Sequence, residues 1–362
     1  MDNLKVRPGI LEIEPYVGGR SHLPGMRDAI KLSSNEGALG PSPKAIAAYL
    51  EAADALHRYP DGASEALREA IGARFGLDPK RIVCGNGSDD LLTLLARAYA
   101  GPEDEVLYSA HGFLLFPILT RGVGARPIAV PERNLTADVE GFLARVTSRT
   151  RIVFLANPNN PTGSCLNAAA VRRLRAGLPA NVLLVLDSAY AEFVTEGDYS
   201  PGADVVDENE NVVMTRTFSK IFALGGLRLG WAYCPPAIAD VLNRLRAPFN
   251  VVRPAQVAGV AALEDVAFFD RARTHNTLWR TWLAEALAKT GLQVYPSATN
   301  FLLVRFPDDS LHNAEAANRF LNERLIIPRA VANYGLPDCL RITVGKEDEM
   351  RAVAKALAEF MS

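Results

Sequence analysis

Seven short apolar segments, separated by helix-like stretches, constrain the fold of this chain more than any other feature. Most of them are apolar at nearly every position rather than at every second one. Strands of this kind are typical of a parallel sheet whose two faces are both covered by helices. In chain order the segments are RIVC, EVLYS, RPIAV, RIVFLA, VLLVLD, NVVMTRT and RLGWAYC. The sequence therefore predicts an α/β fold with a mostly parallel seven-stranded sheet in a large domain, residues 30–255.

The pattern changes after Pro254. A long helical stretch, 255–290, precedes strand-like NFLLVRF, helix-like NAEAANRFLNER, a short LIIPR and strand-like CLRITVG. An amphipathic helix, 346–360, ends the chain. We interpret residues 256–362, together with the N-terminal segment 1–29, as a smaller α+β domain. Because ligand sites favour domain interfaces, we expect a cleft between the two domains.

Composition excludes several classes of function. The 362 residues carry a net charge of −2 with a pI near 6.3, so no basic field attracts nucleic acid or an anionic membrane. The longest apolar runs are strand-sized, and the N-terminus lacks the apolar core of a signal peptide. Four cysteines and five histidines show no paired metal spacing. We predict a cytoplasmic protein with reduced thiols, without a metal site, and acting on small molecules.

One lysine stands inside an apolar run. In TFSKIFALGGLRLG, Lys220 is the only charged residue between Arg216 and Arg228. Desolvation disfavours an ammonium group, so a lysine in such surroundings is available as a neutral amine that condenses with a carbonyl. Arg228 follows a Gly-Gly pair, and its planar fork could reach a phosphate beside Ser219. The alternative is a lysine that extends to solvent and an arginine in a salt bridge.

Other polar residues follow the predicted strands, where ligands of parallel sheets bind. The GNGSDD turn offers backbone N–H groups to a phosphate, or is an ordinary helix cap made by Ser88 or Asp89. Asn160 in NPNNPTG is either aimed at a ligand or part of a rigid proline turn. Asp187 ends an apolar strand and is followed by Tyr190. A carboxylate there needs a partner, which a helix N-terminus or a ligand would supply.

Taken together, these elements match the requirements of one cofactor, pyridoxal 5′-phosphate. Its aldehyde condenses with a lysine, its pyridinium nitrogen pairs with a carboxylate, and its phosphate needs several donors. A carboxylate at the ring nitrogen keeps it protonated, and the ring then withdraws electrons from the substrate α-carbon.

The chain also resembles the fold-type I pyridoxal-phosphate aminotransferases, and within them the histidinol-phosphate aminotransferase subfamily. The resemblance runs nearly the whole length of the chain. It rests on seven stretches in order: KLSSNEGALGPSPKA, RYPDG, GNGSDDLL, NPNNPTG, DSAY, TRTFSKIFALGGLRLG and YGLPDCLRITVG.

The resemblance implies roles for individual residues around the cofactor ring. Lys220 would bind the cofactor covalently and, once released by substrate, move the proton between the α-carbon and the aldehyde carbon. Asp187 would pair with the pyridinium nitrogen. Tyr190 and Asn160 would hydrogen-bond the phenolic oxygen, and Phe113 would stack on the ring.

The resemblance also implies a phosphate site. Backbone groups of Gly87, Ser88 and Asp89, together with Ser219 and Arg228, would hold the cofactor phosphate.

Further residues are implied at the substrate side and at a subunit interface. Arg341 would receive an anionic substrate group and Arg329 would add a second charge, which favours a dianionic phosphate over a carboxylate. Tyr16 and Asn35 would close over the substrate. Tyr59 would reach the cofactor phosphate from a neighbouring subunit, which implies a homodimer.

The implied activity belongs to histidine biosynthesis. An amino group would pass reversibly between histidinol phosphate and 2-oxoglutarate, giving imidazole acetol phosphate and glutamate. An aromatic amino-acid aminotransferase and a phospho-amino-acid decarboxylase share the same core. A non-catalytic effector half of a pyridoxal-dependent transcription factor would need a DNA-reading domain, for which the first thirty residues show no helix-turn-helix pattern.

Four positions depart from the family pattern. Gly37 stands where relatives often have Asn or Pro, and Ser188 where Glu or Ala is common. Ala223 occupies a position that is usually glycine and would crowd the loop of Lys220. Pro328 precedes Arg329 and restricts Ile327 to extended geometry.

Overall fold

The computed structural model describes residues 5–20, 22, 29–195 and 197–362. Residues 1–4, 21 and 23–28, which belong to the predicted small domain, lie outside the described residues. The α-helices are α1 Pro43–Glu51, α2 Glu65–Phe75, α3 Ser88–Tyr99, α4 Leu115–Gly122, α5 Val139–Leu143, α6 Ala168–Gly177, α7 Ala203–Glu208, α8 Pro236–Leu245, α9 Arg253–Glu264, α10 Val266–Ala288, α11 Ala314–Glu323 and α12 Glu347–Phe360. The strands are β1 Ile30–Lys31, β2 Ile82–Gly85, β3 Glu105–Ser109, β4 Arg126–Val130, β5 Thr150–Ala156, β6 Leu183–Asp187, β7 Val212–Thr217, β8 Gly230–Tyr233, β9 Gln293–Val294, β10 Phe301–Arg305, β11 Ile326–Ile327, β12 Arg329–Ala330 and β13 Cys339–Thr343.

The seven segments predicted as strands form one sheet in the order β2-β8-β7-β6-β5-β3-β4. Strand β8 runs antiparallel to both neighbours, and every other pairing in this sheet is parallel. The prediction of a mostly parallel seven-stranded sheet is therefore confirmed. Its central strands end together, because Asp187 on β6 lies opposite Ala156 on β5 and Thr215 on β7.

Both faces of this sheet are buried, as the apolar runs predict. Along β6, Leu184 and Leu186 belong to one core cluster, while Leu183 and Val185 belong to the cluster on the other face. A strand with apolar residues at every position can bury all of them only between two layers. The sheet is consequently held rigidly, and residues at the ends of its strands are held with it.

A second, smaller sheet lies in the C-terminal part of the chain, in the order β12-β13-β10-β9. Residues of α10, α11 and α12 pack with it in a separate apolar core. The short strand β1 pairs in parallel with β11, which ties the segment before α1 to this C-terminal part. In the part of the chain that the structure describes, no helix is long and apolar enough to cross a membrane.

The helical stretch predicted for 255–290 is two helices rather than one. Helix α9 ends before Asp265, whose carboxylate accepts a hydrogen bond of 2.5 Å from the Ser42 hydroxyl. The apolar residues Ala255 and Ala258 of α9 belong to the core of the large sheet. The predicted boundary at residue 255 thus falls inside a helix that packs on the large sheet, and the division into domains stays a prediction.

Candidate active site

A cavity of about 320 Å³ lies at the ends of β5, β6 and β7, between the large sheet and the C-terminal sheet. Most of the residues predicted for the site line it. They are Tyr16, Asn35, Ser88, Asp89, Phe113, Asn160, Asp187, Tyr190, Ser219, Lys220, Arg228, Arg329 and Arg341. Residues that are dispersed along the sequence thus converge on one space.

Lys220 lies in the loop that follows β7. Its apolar neighbours Phe218, Ile221 and Phe222 are buried in the core of the large sheet. Lys220 itself is half-buried and lines the cavity, with its Nζ atom 5.6 Å from the centre of the Tyr190 ring. The apolar run therefore anchors the loop while the amine faces the cavity.

Asp187 ends β6 with its side chain almost fully buried. The Thr215 hydroxyl donates a hydrogen bond of 3.3 Å to its Oδ1 atom. Burial, together with the nearby charge of Asp89, raises the pKa of Asp187 to about 7, against the opposing effects of Thr215 and Lys220. A carboxyl group in this position is suited to a protonated ring nitrogen, because such a partner would restore the ionised form.

Tyr190 is oriented by a chain of hydrogen bonds from the C-terminal sheet. The Asn35 side-chain amide donates to the Tyr190 hydroxyl at 2.8 Å, and the Thr343 hydroxyl donates to Asn35 Oδ1 at 3.1 Å. Since the Tyr190 oxygen accepts the bond from Asn35, its own hydrogen is free to be donated into the cavity. Thr343 was not predicted, because no local sequence pattern links it to a tyrosine 153 residues away.

One end of the cavity is suited to an anion. Helix α3 begins at Ser88 and directs its free N–H groups toward this end. Arg228 donates to the Ser219 hydroxyl at 3.3 Å and to Asp89 at 3.2 Å. Gly87 has φ of +87°, and a Cβ atom there would lie 2.5 Å from Arg228 Nη2. Only glycine allows the arginine to approach the helix start this closely.

Arg341 is buried on the side of the cavity formed by the C-terminal sheet. Its guanidinium donates to Asn160 Oδ1 at 2.5 Å and to the Ser33 carbonyl at 2.7 Å. Its Nε atom is buried and has no hydrogen-bond partner among the described residues. Because Asn160 accepts through its oxygen, its amide nitrogen can donate into the cavity.

Arg329 lies beside Arg341, since the two residues are partners across β12 and β13. Arg329 donates to the backbone carbonyls of Val17 and Gly18 at 2.7 and 2.5 Å. Among the residues that the structure describes, no carboxylate lies within 4.0 Å of either guanidinium. Burial lowers the pKa of Arg341. Two buried cations that no described carboxylate neutralises favour an anionic ligand.

Two predicted site residues do not line the cavity. Gly87 lies just outside it, where it precedes α3 and contacts Arg228. Tyr59 is 82% exposed and stacks on Phe249, with 4.7 Å between the ring centres. Thr217 lines the cavity but was not predicted. Its position in TRTFSK, two residues after the threonine that binds Asp187, is the signal that could have indicated it.

The residues present fit pyridoxal phosphate. The cavity combines an amine for the aldehyde, a buried carboxyl of raised pKa for the ring nitrogen, and a helix start with an arginine for the phosphate. Lys220, Asp187 and Arg228 would hold these three parts of the cofactor. Arg341 Nε, to which no described residue is hydrogen-bonded, is available for a second anion.

Comparison with known proteins assigns the family. The family description "Aminotransferase class I and II" matches residues 27–357. This chain belongs to that family. The histidinol-phosphate aminotransferases of Paramagnetospirillum magneticum and Rhodospirillum centenum are each 59% identical to it, over 98% of both chains. A crystal structure of histidinol-phosphate aminotransferase from Sinorhizobium meliloti in complex with pyridoxal-5′-phosphate is 32% identical and covers 99% of this chain and 97% of its own, with a TM-score of 0.90.

Class I and II aminotransferase membership confirms the predicted fold type and the predicted reaction class. Aspartate aminotransferase from Thermus thermophilus, 23% identical and with a TM-score of 0.81 over 92% of each chain, shares the fold. The roles assigned to individual residues remain predictions, which the geometry of the cavity supports but does not test.

Two departures from the family pattern contact each other. Ala223 has φ of +54°, a left-handed conformation that an alanine adopts at a cost of about 1–2 kcal/mol. Its N–H donates to the Lys220 carbonyl at 3.0 Å and closes the turn that carries the lysine. A Cβ atom on Gly37 would lie 2.7 Å from the Ala223 methyl group. The methyl group of Ala223 thus occupies the space that the glycine at position 37 leaves open.

The other two departures are also accommodated. The Ser188 hydroxyl is buried and donates to the Pro201 carbonyl at 2.7 Å. Pro328 lies between β11 and β12, where the chain passes from pairing with β1 to pairing with β13. Ile327 is extended there, as predicted.

The contact between Gly37 and Ala223 predicts compensation. Gly37→Ala should lower the free energy of unfolding by about 1–3 kcal/mol, because the new methyl overpacks the turn of Lys220. Ala223→Gly should restore most of this loss in the double variant, because it removes the opposing methyl. Denaturant unfolding of the four proteins measures the coupling. If the changes in unfolding free energy of the two single variants simply added in the double variant, the two positions would be independent.

Asp187 predicts an unusual effect on stability. In the folded chain without cofactor its pKa of about 7 exceeds the ordinary 3.8, so the folded state binds the extra proton and stability falls as pH rises between these values. Asp187→Asn should therefore stabilise the cofactor-free protein above pH 7, by on the order of 2–4 kcal/mol. The gain in stability of Asp187→Asn over the wild-type protein should vanish below the ordinary pKa of 3.8. Thermal unfolding across pH measures both effects.

A second aspartate supplies the control. The hydroxyl of Ser42 lowers the pKa of Asp265, so this carboxylate stabilises the fold above 3.8 and loses its contribution as pH falls through its lowered pKa. Asp265→Asn should destabilise the protein at neutral pH. If Asp187→Asn behaved like Asp265→Asn, the assignment of a buried carboxyl with a raised pKa would be wrong.

Proposed function

We propose that this protein is a pyridoxal-phosphate-dependent histidinol-phosphate aminotransferase. It would transfer an amino group reversibly between histidinol phosphate and 2-oxoglutarate. The observation that carries the substrate assignment is the pair of buried arginines, Arg329 and Arg341, which face the cavity of Lys220 without a carboxylate partner among the described residues.

The arginine pair suits the two substrates of such an enzyme. Glutamate and a phosphate ester present planar or tetrahedral oxygen groups that a guanidinium binds through two N–H groups. Two guanidinium groups provide the charge for a dianionic phosphate. An enzyme acting only on aromatic amino acids needs one cation for the carboxylate and an apolar surface for the ring.

Each residue of the cavity then has a task. When bound, the cofactor supplies an aldehyde and an electron-withdrawing ring. Lys220 would bind it and later move the proton at the substrate α-carbon. Asp187 would hold the ring nitrogen protonated, and Tyr190 and Asn160 would donate to the phenolic oxygen. Phe113 would cover the ring.

The phosphate group of the cofactor would lie at the start of α3. Backbone groups of Gly87, Ser88 and Asp89 would hold it, together with Ser219 and Arg228. Arg228 is already directed by Ser219 and Asp89, so little ordering remains to be done when the anion arrives.

We also propose a cytoplasmic homodimer in which Tyr59 completes the neighbouring site. Large apolar side chains are exposed along α1 and the turn after it, among them Leu50, Leu56 and Tyr59. A partner subunit would remove them from water. The four cysteines are unpaired, in keeping with a reducing compartment. Sedimentation equilibrium should return twice the chain mass of 39.2 kDa; a monomer would contradict the assignment of Tyr59.

A half-reaction screen tests the substrate. The holoenzyme is mixed in turn with histidinol phosphate, glutamate, phenylalanine and tyrosine, and the change in cofactor absorbance is followed. The value of kcat/KM for histidinol phosphate should exceed the values for both aromatic amino acids. Arg329→Met should reduce the preference for the phosphate ester roughly tenfold or more, since charged hydrogen bonds contribute on the order of 1.5–3 kcal/mol.

Two outcomes would contradict the proposal. Equal or reversed efficiencies would favour an aromatic amino-acid aminotransferase. Release of carbon dioxide without consumption of a 2-oxo acid would identify a decarboxylase. Lys220→Ala is the control, because it should still bind the cofactor but fail to convert it to the amine form.

A further inference from the structure

An ion pair is buried directly behind the cavity. Arg216 and Glu192 are 4% and 7% exposed, and neither lines the cavity. The Arg216 Nη2 and Nε atoms donate to one oxygen of Glu192, Oε1, at 2.7 and 3.3 Å. Nothing in the mechanism proposed above uses either residue.

The surroundings of the pair are apolar. The Arg216 guanidinium lies 4.8 Å from the centre of the Phe75 ring and 5.4 Å from that of Trp231. Oε2 of Glu192 is buried, and no described residue donates a hydrogen bond to it. Burial raises the pKa of Tyr199, which lies within range of both charges, so this hydroxyl stays neutral and does not compete for them.

Stability alone does not explain such a pair. Desolvating two charges costs several kcal/mol by general experience, and apolar replacements of similar volume are often equally stable or more so. A buried ion pair differs from an apolar contact because its hydrogen bonds are directional. They fix one relative position of the two segments that carry the charged residues.

The two elements that this pair joins both carry parts of the site. Glu192 belongs to a short 3₁₀ turn, Ala191–Phe193, that begins directly after Tyr190. Arg216 lies on β7 between Thr215, which binds Asp187, and Thr217, which lines the cavity. The loop that carries Lys220 begins where this strand ends.

We propose that the Arg216–Glu192 ion pair is a positioning unit that fixes the Tyr190 ring relative to Lys220 and Asp187. It holds the turn after β6 against β7, so that the free hydroxyl hydrogen of Tyr190 points to one place in the cavity. This inference rests on the proposed function, since it assigns Tyr190 to the phenolic oxygen of the bound cofactor.

The pH titration of the holoenzyme absorbance tests the proposal. A donor at the phenolic oxygen stabilises its anion, so losing the Tyr190 bond raises the midpoint of the absorbance change. Tyr190→Phe, which lacks the hydroxyl, is the reference variant that shows in which direction the midpoint moves. Glu192→Gln and Arg216→Met should each raise the midpoint in the same direction, by up to about one pH unit, which corresponds to a weakened hydrogen bond to a charged acceptor.

Two further variants separate positioning from folding. Glu105→Gln removes another buried carboxylate of the same sheet, which is bound by Thr147 and Arg149 away from the cavity. It should lower the melting temperature and leave the midpoint unchanged. Glu192→Leu combined with Arg216→Met should regain thermal stability while the midpoint stays raised, and it provides the test if the single variants do not fold.

The outcomes are distinct. A wild-type midpoint in the single variants, or in the apolar double variant, would overturn the positioning role, because the directed charges would then be dispensable. If the wild-type protein showed no absorbance band of a cofactor bound to lysine, the proposed function itself would be overturned. If Glu105→Gln raised the midpoint as much as Glu192→Gln does, the shift would follow from lost stability, and the pair would be assigned to folding alone.

Discussion

Asp187 ends a strand that is buried on both faces, and its carboxyl group lies where an isolated negative charge is unfavourable. In the part of the chain that the structure describes, no ion pair relieves this burial, and the pKa of Asp187 rises to about 7. A site that keeps such a group before its ligand arrives sacrifices stability for function. The groups around it, Lys220, Tyr190 and Thr215, are placed by the same strand ends and turns, so the site depends on the register of three parallel strands.

The opposite side of the cavity also contains buried charged groups, but these are cations. Arg329 and Arg341 are buried on neighbouring strands of the C-terminal sheet, and their hydrogen bonds go to backbone carbonyls and to an amide oxygen. Neutral acceptors orient the guanidinium groups without neutralising them. The cavity therefore presents a carboxyl group and an amine on one side and two cations on the other, an arrangement suited to a zwitterionic cofactor and an anionic substrate.

The seven strands and the position of Asp187 were predictable because apolar runs and strand ends are local signals. Lys220 was predictable because a single charge in an apolar run is also local. The contact between Gly37 and Ala223, the hydrogen bond from Thr343 to Asn35 and the Arg216–Glu192 pair depend on how distant segments meet, which no spacing in the sequence encodes. The break at Asp265 depends likewise on a distant serine. The role proposed for Tyr59 would require a second subunit.

The most direct test of the account locates the bond between the chain and its cofactor. The holoenzyme is reduced with borohydride and digested, and the peptide that carries the added pyridoxyl mass is identified by mass spectrometry. The account predicts modification at Lys220 alone, and its loss in Lys220→Ala. Modification at any other lysine, or an unmodified chain with full activity, would contradict the assignment of Lys220 as the amine that faces Asp187.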